Sequence, residues 1–332
     1  MKMIKKLKPQ QTLSKSFKIN GIGLHSGEKI VLTLNPAPEN SGIKFIRTDL
    51  NPKIEIPALS NFVSRTDRGT TLTKDGEFIK TTEHLLAALF ASSINNCEIE
   101  INGAEIPIMD GSSKPFSDAI LKAGIVQQSE SQEVFIVQEV IQFTDDETGS
   151  EILIIPSDDI SFNVLIDFET KVLGTQNAIL KTIKDFHKEI APARTFSFLH
   201  ELEDLLDNGL IKGGDLNNAI IYVNQPLANA NMKRLKKVFG KDQISVKPNG
   251  ILDNLKLNYT NEAARHKLLD LIGDLALVGM PIQGKIIATK PGHKINTDFA
   301  KDQTATEIHC SNDRFIQAAN YGCKSNYGYA SP

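Results

Sequence analysis

The chain has 332 residues, of which 40% are hydrophobic and 23% charged, and its formal net charge is −3. This balance excludes a disordered chain and is that of a globular protein long enough for two packed domains. The negative charge argues against a nucleic-acid partner, which needs a strongly basic surface. No run approaches the roughly 18 apolar residues of a membrane helix, and the basic start lacks the apolar stretch of a signal peptide. A cytoplasmic protein without stable membrane insertion is therefore expected.

Cysteine usage narrows the kind of metal site. The three cysteines, Cys97, Cys310 and Cys323, form no CxxC pair and are odd in number. Neither a disulfide framework nor a thiolate zinc site is indicated, so any metal must be held by nitrogen and oxygen. Cys97 heads a β-type run, which favours a buried structural thiol over a nucleophile.

The first half of the chain reads as strands followed by one helix and a further strand. Residues 16–35 alternate polar and apolar positions and predict two strands joined by a glycine-rich turn. Thr81 or Thr82 can cap a leucine-rich helix, which leads into the strand Cys97–Ile101. The polar stretch 127–133 shows no apolar periodicity, and we place the domain linker there.

The second half repeats this plan. Its predicted elements are the strands Phe135–Phe143, Glu151–Pro156 and Ser161–Phe168, a helix over about Glu262–Gly279, and the strand Gly284–Thr289. Each half carries a histidine-bearing helix before a β-rich stretch, which indicates two related α+β domains, residues 1–128 and 129–300. A leucine-rich helix from Phe198 to about Asn208 reads as an insertion, for which core packing is the simpler explanation. The polar tail, residues 301–332, is expected to be flexible.

The strongest local signal is the helix around His266. At about 100° per residue, His266, Asp270 and Asp274 fall in one polar stripe, opposite a leucine-rich side. An imidazole and a carboxylate one turn apart can bind the same zinc ion. The alternative is an ordinary solvated face, because HxxxD alone is a weak motif.

A second histidine can complete a metal site. Catalytic zinc usually has three protein ligands and one open position, so His84 with His266 and Asp270 would make a His₂Asp set. Glu83 then neighbours a ligand, where a carboxylate can act as the base that deprotonates water. The alternative is that Glu83 and His84 serve only to cap a helix and compensate its dipole.

Two further residues could complete the chemistry. His293 follows Lys290-Pro291-Gly292, so it is expected on an exposed, rigid turn where a general acid could sit. Asp274 is a candidate partner that would raise its basicity. Thr195 could donate a hydroxyl to a developing oxyanion. Read singly, His293 is a surface histidine and Thr195 an ordinary threonine.

Several ordered motifs together resemble the UDP-3-O-acyl-N-acetylglucosamine deacetylases of Gram-negative lipid A synthesis. The likeness covers roughly residues 14–300. The motifs are Gly21-Ile22-Gly23-Leu24-His25-Ser26-Gly27, Ser64-Arg65-Thr66 with Gly69-Thr70-Thr71-Leu72, Thr82-Glu83-His84-Leu85, Glu105-Ile106-Pro107-Ile108-Met109-Asp110-Gly111-Ser112, Ala193-Arg194-Thr195-Phe196, Gly213-Gly214, the helix Arg265 to Asp274, and Gly292-His293.

The resemblance implies two similar βα domains, each a helix layer packed on a sheet, with the active site between them. It implies a Zn²⁺ cofactor, and it assigns roles that agree with the patterns above. The implied metal ligands are His84, His266 and Asp270. The implied catalytic group comprises Glu83 as base, His293 as acid, Asp274 as its charge partner, Thr195 at the oxyanion, and Lys267 as a substrate contact.

The resemblance also implies the substrate and its contacts. The implied reaction removes the N-acetyl group of a UDP-linked, 3-O-acylated glucosamine and releases acetate, with water as the nucleophile. Separately, we expect the protein to be a monomer. The helix at 198–211 would line an apolar passage for the acyl chain, through residues such as Leu202 and Leu206. The remaining implied substrate contacts are Phe168, Phe196, Phe198 and Lys290.

Two other functional classes remain open from the sequence. A metal amidohydrolase acting on a different N-acetyl sugar would keep the ligands but would not need the apolar helix, so polar replacements of Leu202 and Leu206 separate the two. A non-catalytic protein built on two similar domains would carry no stoichiometric zinc and would tolerate His266→Ala.

Overall fold

The computed structural model describes residues 2–201, 218–224, 245–252 and 255–304. The strands are β1 (Lys2–Leu13), β2 (Phe17–Ile22), β3 (Lys29–Pro36), β4 (Ile43–Arg47), β5 (Ile54–Pro57), β6 (Val63–Arg65), β7 (Thr71–Lys74), β8 (Glu77–Ile79), β9 (Cys97–Ile101), β10 (Ile125–Val137), β11 (Ile141–Asp145), β12 (Ser150–Ile155), β13 (Ser161–Asp167), β14 (Thr175–Leu180), β15 (Phe196–Phe198), β16 (Ile220–Tyr222), β17 (Ile282–Gln283) and β18 (Lys285–Thr289). The helices are α1 (Glu83–Ala91), α2 (Lys114–Ala123), α3 (Phe186–Glu189), α4 (Glu262–Leu275) and α5 (residues 293–304).

Two five-stranded sheets share one topology. Their strand orders are β2-β3-β9-β4-β5 and β11-β12-β18-β13-β14. In each, the central strand comes last in the chain, after the histidine-bearing helix, and pairs in parallel with one neighbour, β4 or β13. The other pairings in both sheets are antiparallel. The prediction of an α+β fold with two similar βα domains is therefore confirmed.

The strands follow from simple alternation of apolar residues. In β3 the side chains of Ile30, Leu32 and Leu34 are buried, whereas Lys29 before them and Val31 between the first two are exposed. A period of two places every second side chain on one face of a sheet. That face is covered by helices, and the sequence predicted this hairpin correctly.

The helices α1 and α4 lie against each other between the two large sheets. Residues 83–89 of α1 are all buried, as expected for a helix that is covered on every side. Leu85 and Leu89 belong to the core of the first half, whereas Ala87 belongs to the core of the second. Helix α4 joins that second core through Leu268 and Ile272. The two histidine-bearing helices therefore contact each other where the two halves meet.

Gly273 makes this close approach possible. A Cβ atom built on Gly273 would lie 2.1 Å from the carbonyl oxygen of Glu83 and 2.7 Å from its carbonyl carbon. Both atoms are backbone, so no side-chain rotation can relieve the overlap. Any larger residue here would push α1 and α4 apart.

We expect Gly273→Ala to destabilise the protein by about 1–3 kcal/mol, because the added methyl overpacks a contact between two backbones. Urea unfolding of the variant and the parent protein measures this. Gly292→Ala is the matched control, since a Cβ there meets no atom within 4 Å, and its effect should stay within about 0.5 kcal/mol. Equal midpoints for the two variants would contradict the account of the helix contact.

Residues 127–133, where a linker was predicted, form regular structure instead of a polar break. These residues lie within β10, which pairs antiparallel with β1 along most of its length. Exposed residues such as Lys6 and Glu133 face each other in this ribbon. Much of the surface of this ribbon faces solvent. Its sequence therefore lacks the alternation of apolar and polar residues by which a strand is recognised. The predicted boundary between residues 128 and 129 therefore falls inside a strand, and the domain limits stay a prediction.

Three local predictions also need correction. Thr82 occupies the N-cap of α1, but its hydroxyl makes no capping bond and instead donates to the carbonyl of Thr70. Phe198 ends strand β15 rather than opening a helix; residues 199–201 are helical, and Leu202 and Leu206 lie outside the described residues. Residues 301–304, the start of the tail that was predicted to be flexible, continue helix α5, and the rest of that tail lies outside the described residues.

Membrane insertion was not expected from the sequence. Among the helices that the structure describes, none has the length and apolar character needed to cross a membrane.

Candidate metal centre

Three predicted ligands, far apart in the sequence, converge where α1 meets α4. One ligand atom from each of His84, His266 and Asp270 lies within 4.8 Å of the other two. All three side chains are buried. His266 and Asp270 are one turn apart on α4, and His84 reaches them from the second residue of α1. The convergence that the sequence could only suggest is therefore present in the fold.

The ligand atoms are oriented toward one point. Nδ1 of His266 lies 3.1 Å from the carbonyl oxygen of Ala193, which can only accept, so this nitrogen carries the proton. Its Nε2 then presents a lone pair 3.3 Å from Oδ1 of Asp270. Nε2 of His84 lies 3.7 Å from the same oxygen. Oδ1 of Asp270 is buried without a hydrogen-bond partner among the described residues.

This arrangement fits a divalent cation. A buried carboxylate oxygen without a donor is costly unless a cation satisfies it. Burial, together with the nearby His266, lowers the pKa of His84 to about 3, and burial lowers the pKa of His266 as well. Burial would raise the pKa of Asp270, but His266 and Lys267 together hold it well below its usual range. Two neutral imidazoles and a carboxylate are the protonation states that a metal ion requires.

Lys267 supports the carboxylate ligand from its other side. Its Nζ donates to Oδ2 of Asp270 over 2.8 Å, leaving Oδ1 directed at the two histidines. Burial lowers the pKa of Lys267, but the attraction of Asp270 outweighs burial and the net shift is upward. The ammonium also lies 5.8 Å from the centre of the Phe196 ring. Lys267 therefore lies beside the metal ligands. Its predicted role as a substrate contact stays a prediction.

Glu83 is buried next to the ligand His84. Its Oε2 accepts a hydrogen bond of 2.9 Å from the backbone N–H of Thr70. Burial, opposed by the nearby His293, raises the pKa of Glu83 to about 7. Thr81, two residues earlier, has a φ of 59°, a strained conformation for a β-branched residue. The backbone is therefore strained just before α1. The pKa of the Glu83 carboxyl group suits a general base near neutral pH.

His293 and Asp274 form the predicted pair. Nδ1 of His293 donates to Oδ2 of Asp274 over 2.9 Å, which leaves Nε2 3.9 Å from the ligand Asp270. Burial would lower the pKa of His293, but the charge of Asp274 raises it to about 9. The predicted exposed turn is wrong: His293 is the first residue of α5 and is largely buried. A helix N-terminus disfavours a cation by about 0.3–1 kcal/mol, so the ion pair decides its protonation.

Thr195 lies in a loop that is held by a buried ion pair. Nε of Arg194 donates to Oε1 of Glu262 over 2.8 Å, and Glu262 is the first residue of α4. The carbonyl of Ala193 accepts the Nδ1 proton of His266, as described above. Thr195 therefore follows closely on a segment that touches the metal ligands, and its predicted role at an oxyanion stays a prediction.

The aromatic residues predicted to bind substrate lie together. The ring centre of Phe168 is 5.4 Å from that of Phe196 and 5.8 Å from that of Phe198. The Phe196 ring is 6.4 Å from the ring of His266, so the cluster borders the ligands. Nζ of Lys290 donates to Glu169, the neighbour of Phe168. The three rings therefore form one cluster that reaches His266 through Phe196, and Lys290 contacts the residue next to Phe168.

Sequence reasoning missed several residues that contact the site. Thr70 and Asn296 both donate to the carboxylate of Asp274, and Glu262 anchors the loop of Arg194. Asn296 could have been found, because it lies three residues after His293 on one helix face. Thr70 stood in a motif without an assigned role, since nothing in its local pattern predicts contact with α4.

Known proteins resemble this chain over most of its length. The family model for UDP-3-O-acyl N-acetylglycosamine deacetylase matches residues 10–242 and 236–304. A bifunctional enzyme LpxC/FabZ of Bacteroides thetaiotaomicron is 43% identical over 95% of this chain and 67% of its own length. A protein of Myxococcus xanthus named UDP-3-O-acyl-N-acetylglucosamine deacetylase is 39% identical over 94% of this chain and 93% of its own.

The relatives differ in length. A second bifunctional enzyme LpxC/FabZ, from Chlorobaculum tepidum, is 43% identical over 88% of this chain and 63% of its own length. The chain therefore spans about two thirds, or slightly less, of the bifunctional relatives. It spans nearly all of the relative from Myxococcus xanthus.

Proposed function

Because the chain belongs to the UDP-3-O-acyl N-acetylglycosamine deacetylase family, we propose that it hydrolyses the N-acetyl amide of a UDP-linked, 3-O-acylated N-acetylglucosamine in lipid A biosynthesis. The observation that carries this proposal is the convergence of His84, His266 and Asp270 on one point. A carboxyl group with a pKa of about 7 and an ion-paired histidine adjoin the same ligands. These are the parts that metal-assisted amide hydrolysis needs.

The three ligands would hold one divalent cation, for which we propose Zn²⁺. When bound, such an ion lowers the pKa of water and polarises the amide carbonyl. Two imidazole nitrogens and one carboxylate oxygen suit zinc, and iron or cobalt would also be accepted. With three protein ligands, such an ion would keep one position open for the reaction, as catalytic zinc sites generally do.

The side chains around the ligands supply the proton transfers. Glu83 accepts the proton of the attacking water, because burial has raised its pKa close to neutrality. As the C–O bond forms and the C–N bond breaks, Nε2 of protonated His293 gives its proton to the leaving amine. Asp274 keeps that imidazole charged and fixes its direction. The products are acetate and the free sugar amine.

The remaining predicted residues hold the substrate. The hydroxyl of Thr195 donates to the oxyanion, and Lys267 contacts the reacting part of the substrate from beside Asp270. The aromatic cluster of Phe168, Phe196 and Phe198, with Lys290 next to it, is proposed to receive the nucleotide part. Leu202 and Leu206, outside the described residues, are proposed to line the passage for the acyl chain.

The two titrating groups predict a bell-shaped pH profile of kcat/KM. Activity falls on the acid side as Glu83 gains its proton. This limb should lie at or below about pH 7, because a bound cation would lower the pKa of Glu83 from the value that burial gives it. Activity falls on the alkaline side as His293 loses its proton, at or below about pH 9, since only the protonated imidazole can act as the acid and a bound cation lowers its pKa as well. Rates measured over about pH 5 to 10 test both limbs.

The alkaline limb has a matched variant. Asp274→Asn removes the charge that raises the pKa of His293, so that limb should move to lower pH by about 1 unit or more. The acid limb, set by Glu83, should move much less. An alkaline limb that stays in place in this variant would show that His293 is not the acid.

Release of acetate tests the proposed function directly. Purified protein with the UDP-linked, 3-O-acylated substrate should release one acetate per amine formed, and a chelator followed by Zn²⁺ should abolish and restore the reaction. The same assay with the N-acetyl sugar nucleotide lacking the acyl chain tests the substrate class. Acetate release that is indifferent to chelator would rule out the metal centre. No release from the acylated substrate would rule out the function.

Three further properties stay predictions for the same protein. We propose a monomer, a cytoplasmic location and no nucleic-acid partner, the last in keeping with a net charge of −3. Light scattering of the purified protein measures the first of these.

A further inference from the structure

Thr70 is a fully buried residue between β6 and β7, and its backbone is fixed to the start of α1. Its carbonyl accepts hydrogen bonds from both the backbone N–H and the hydroxyl of Thr82, the residue before Glu83. It is 0% exposed. The position of Thr70 is therefore tied to the helix that carries the base and one metal ligand.

Thr70 contacts two carboxylates that belong to different halves of the chain. Its backbone N–H donates to Oε2 of Glu83 over 2.9 Å, and its hydroxyl donates to Oδ1 of Asp274 over 2.5 Å. The same hydroxyl oxygen lies 3.5 Å from Nδ1 of His293. One residue thus touches the base directly and the acid through its charge partner.

Asp274 is held from several sides. Its Oδ2 accepts from Nδ1 of His293 and from Nδ2 of Asn296, both at 2.9 Å, and Thr70 is the donor to the other oxygen. Without that donor the carboxylate could rotate about its Cβ–Cγ bond and carry the imidazole with it. Catalytic groups that move by about 1 Å from their working positions can lose on the order of 100-fold in rate.

The neighbouring glycine leaves room for this arrangement. Gly69 has a φ of +152°, and a Cβ there would lie 3.0 Å from Oε1 of Glu83. A side chain at Gly69 would therefore press on the second oxygen of the carboxylate that Thr70 holds. Gly69 and Thr70 together define where the Glu83 carboxylate sits.

We propose that Thr70 is a positioning residue that sets the placement of Glu83 relative to the His293–Asp274 pair. This inference rests on the proposed function, because positioning by Thr70 matters for catalysis only if Glu83 and His293 exchange protons with a substrate. It concerns the hydroxyl in particular, since the backbone N–H remains whatever the side chain. If the role of Thr70 were purely structural, losing its hydroxyl would lower the stability of the fold without a specific loss of kcat.

Thr70→Val tests the hydroxyl, because it keeps the branched shape and the backbone N–H. We expect kcat to fall by about 10- to 100-fold, the factor for losing one hydrogen bond to a charged group. KM and the zinc content per chain should stay within about 2-fold, because Thr70 contacts neither substrate nor metal ligands in this account. Thr70→Ser, which keeps the hydroxyl, should recover most of the activity.

Thr71→Val is the matched control. Thr71 is the next residue and is also buried, and within the described part of the chain its hydroxyl makes no hydrogen bond to Glu83, Asp274 or His293. Its kcat should stay within about 2-fold of the parent protein. Thermal unfolding of every variant reports whether the fold is kept.

A double-mutant cycle separates positioning from general damage. If the Thr70 hydroxyl acts through Asp274, Thr70→Val should cost less than about 3-fold in kcat when Asp274→Asn is already present. Equal losses in the two backgrounds, a rise in KM with kcat unchanged, or a failure of Thr70→Ser to recover activity would each overturn the inference. A parent protein that releases no acetate overturns the proposed function instead, whereas an active parent with an equally active Thr70→Val overturns only this inference.

Discussion

Glu83→Gln should lower kcat by about 10²- to 10⁴-fold, the range for losing a general base, while zinc content per chain stays unchanged. Glutamine has nearly the same shape and can still accept the N–H of Thr70 through its amide oxygen. It cannot accept a proton from water. The loss therefore falls on the chemical step rather than on the fold or on metal binding.

Steady-state rates of acetate release, paired with metal analysis of the same samples, measure this effect. Glu130→Gln is a suitable control, because Glu130 is an exposed residue of β10 and lies on the ribbon with β1. Its kcat should match that of the parent protein. An active Glu83→Gln variant with bound zinc would remove Glu83 from the mechanism.

His266→Ala should cause a loss of similar size, but through metal binding. Removing one of three protein ligands should weaken zinc binding by more than about 100-fold, since even residues that only orient a ligand cost 10- to 100-fold. The stabilisation that the metal gives to developing charge amounts to several kcal/mol, so activity should fall by about 10³-fold or more at limiting zinc.

Metal titration of the variant and of His187→Ala provides the comparison. His187 is a partly exposed histidine of α3 that hydrogen-bonds Ser117, and it takes no part in the ligand set. His187→Ala should bind one zinc per chain, as the parent protein does. Equal zinc affinity for both variants would contradict the assignment of His266 as a ligand.

The sequence predicted those parts of the site that depend on helical spacing. His266 and Asp270 are one turn apart, so their shared face follows from the geometry of any α-helix. That His84 would reach them did not follow from spacing. It depends on α1 and α4 touching at the backbone, which Gly273 permits by having no side chain. A single glycine in a helix does not by itself predict that another helix packs against its backbone.

Other features were hidden because their cause is tertiary. The ribbon of β1 and β10 looked like a linker because its polar residues face water on much of the surface. His293 looked exposed because Pro291 and Gly292 indicate a turn, yet it begins α5 and is buried by its pairing with Asp274. Thr70 holds Glu83 through a backbone N–H, a contact that carries no residue-type signature.

The convergence of His84, His266 and Asp270 on one ion is best tested by anomalous X-ray scattering from crystals of the zinc-loaded protein. One peak is predicted between α1 and α4, about 2.0–2.2 Å from a nitrogen of each histidine and from an oxygen of Asp270. A peak bound by other residues, or no peak at this point in protein that contains one zinc per chain, would contradict the account.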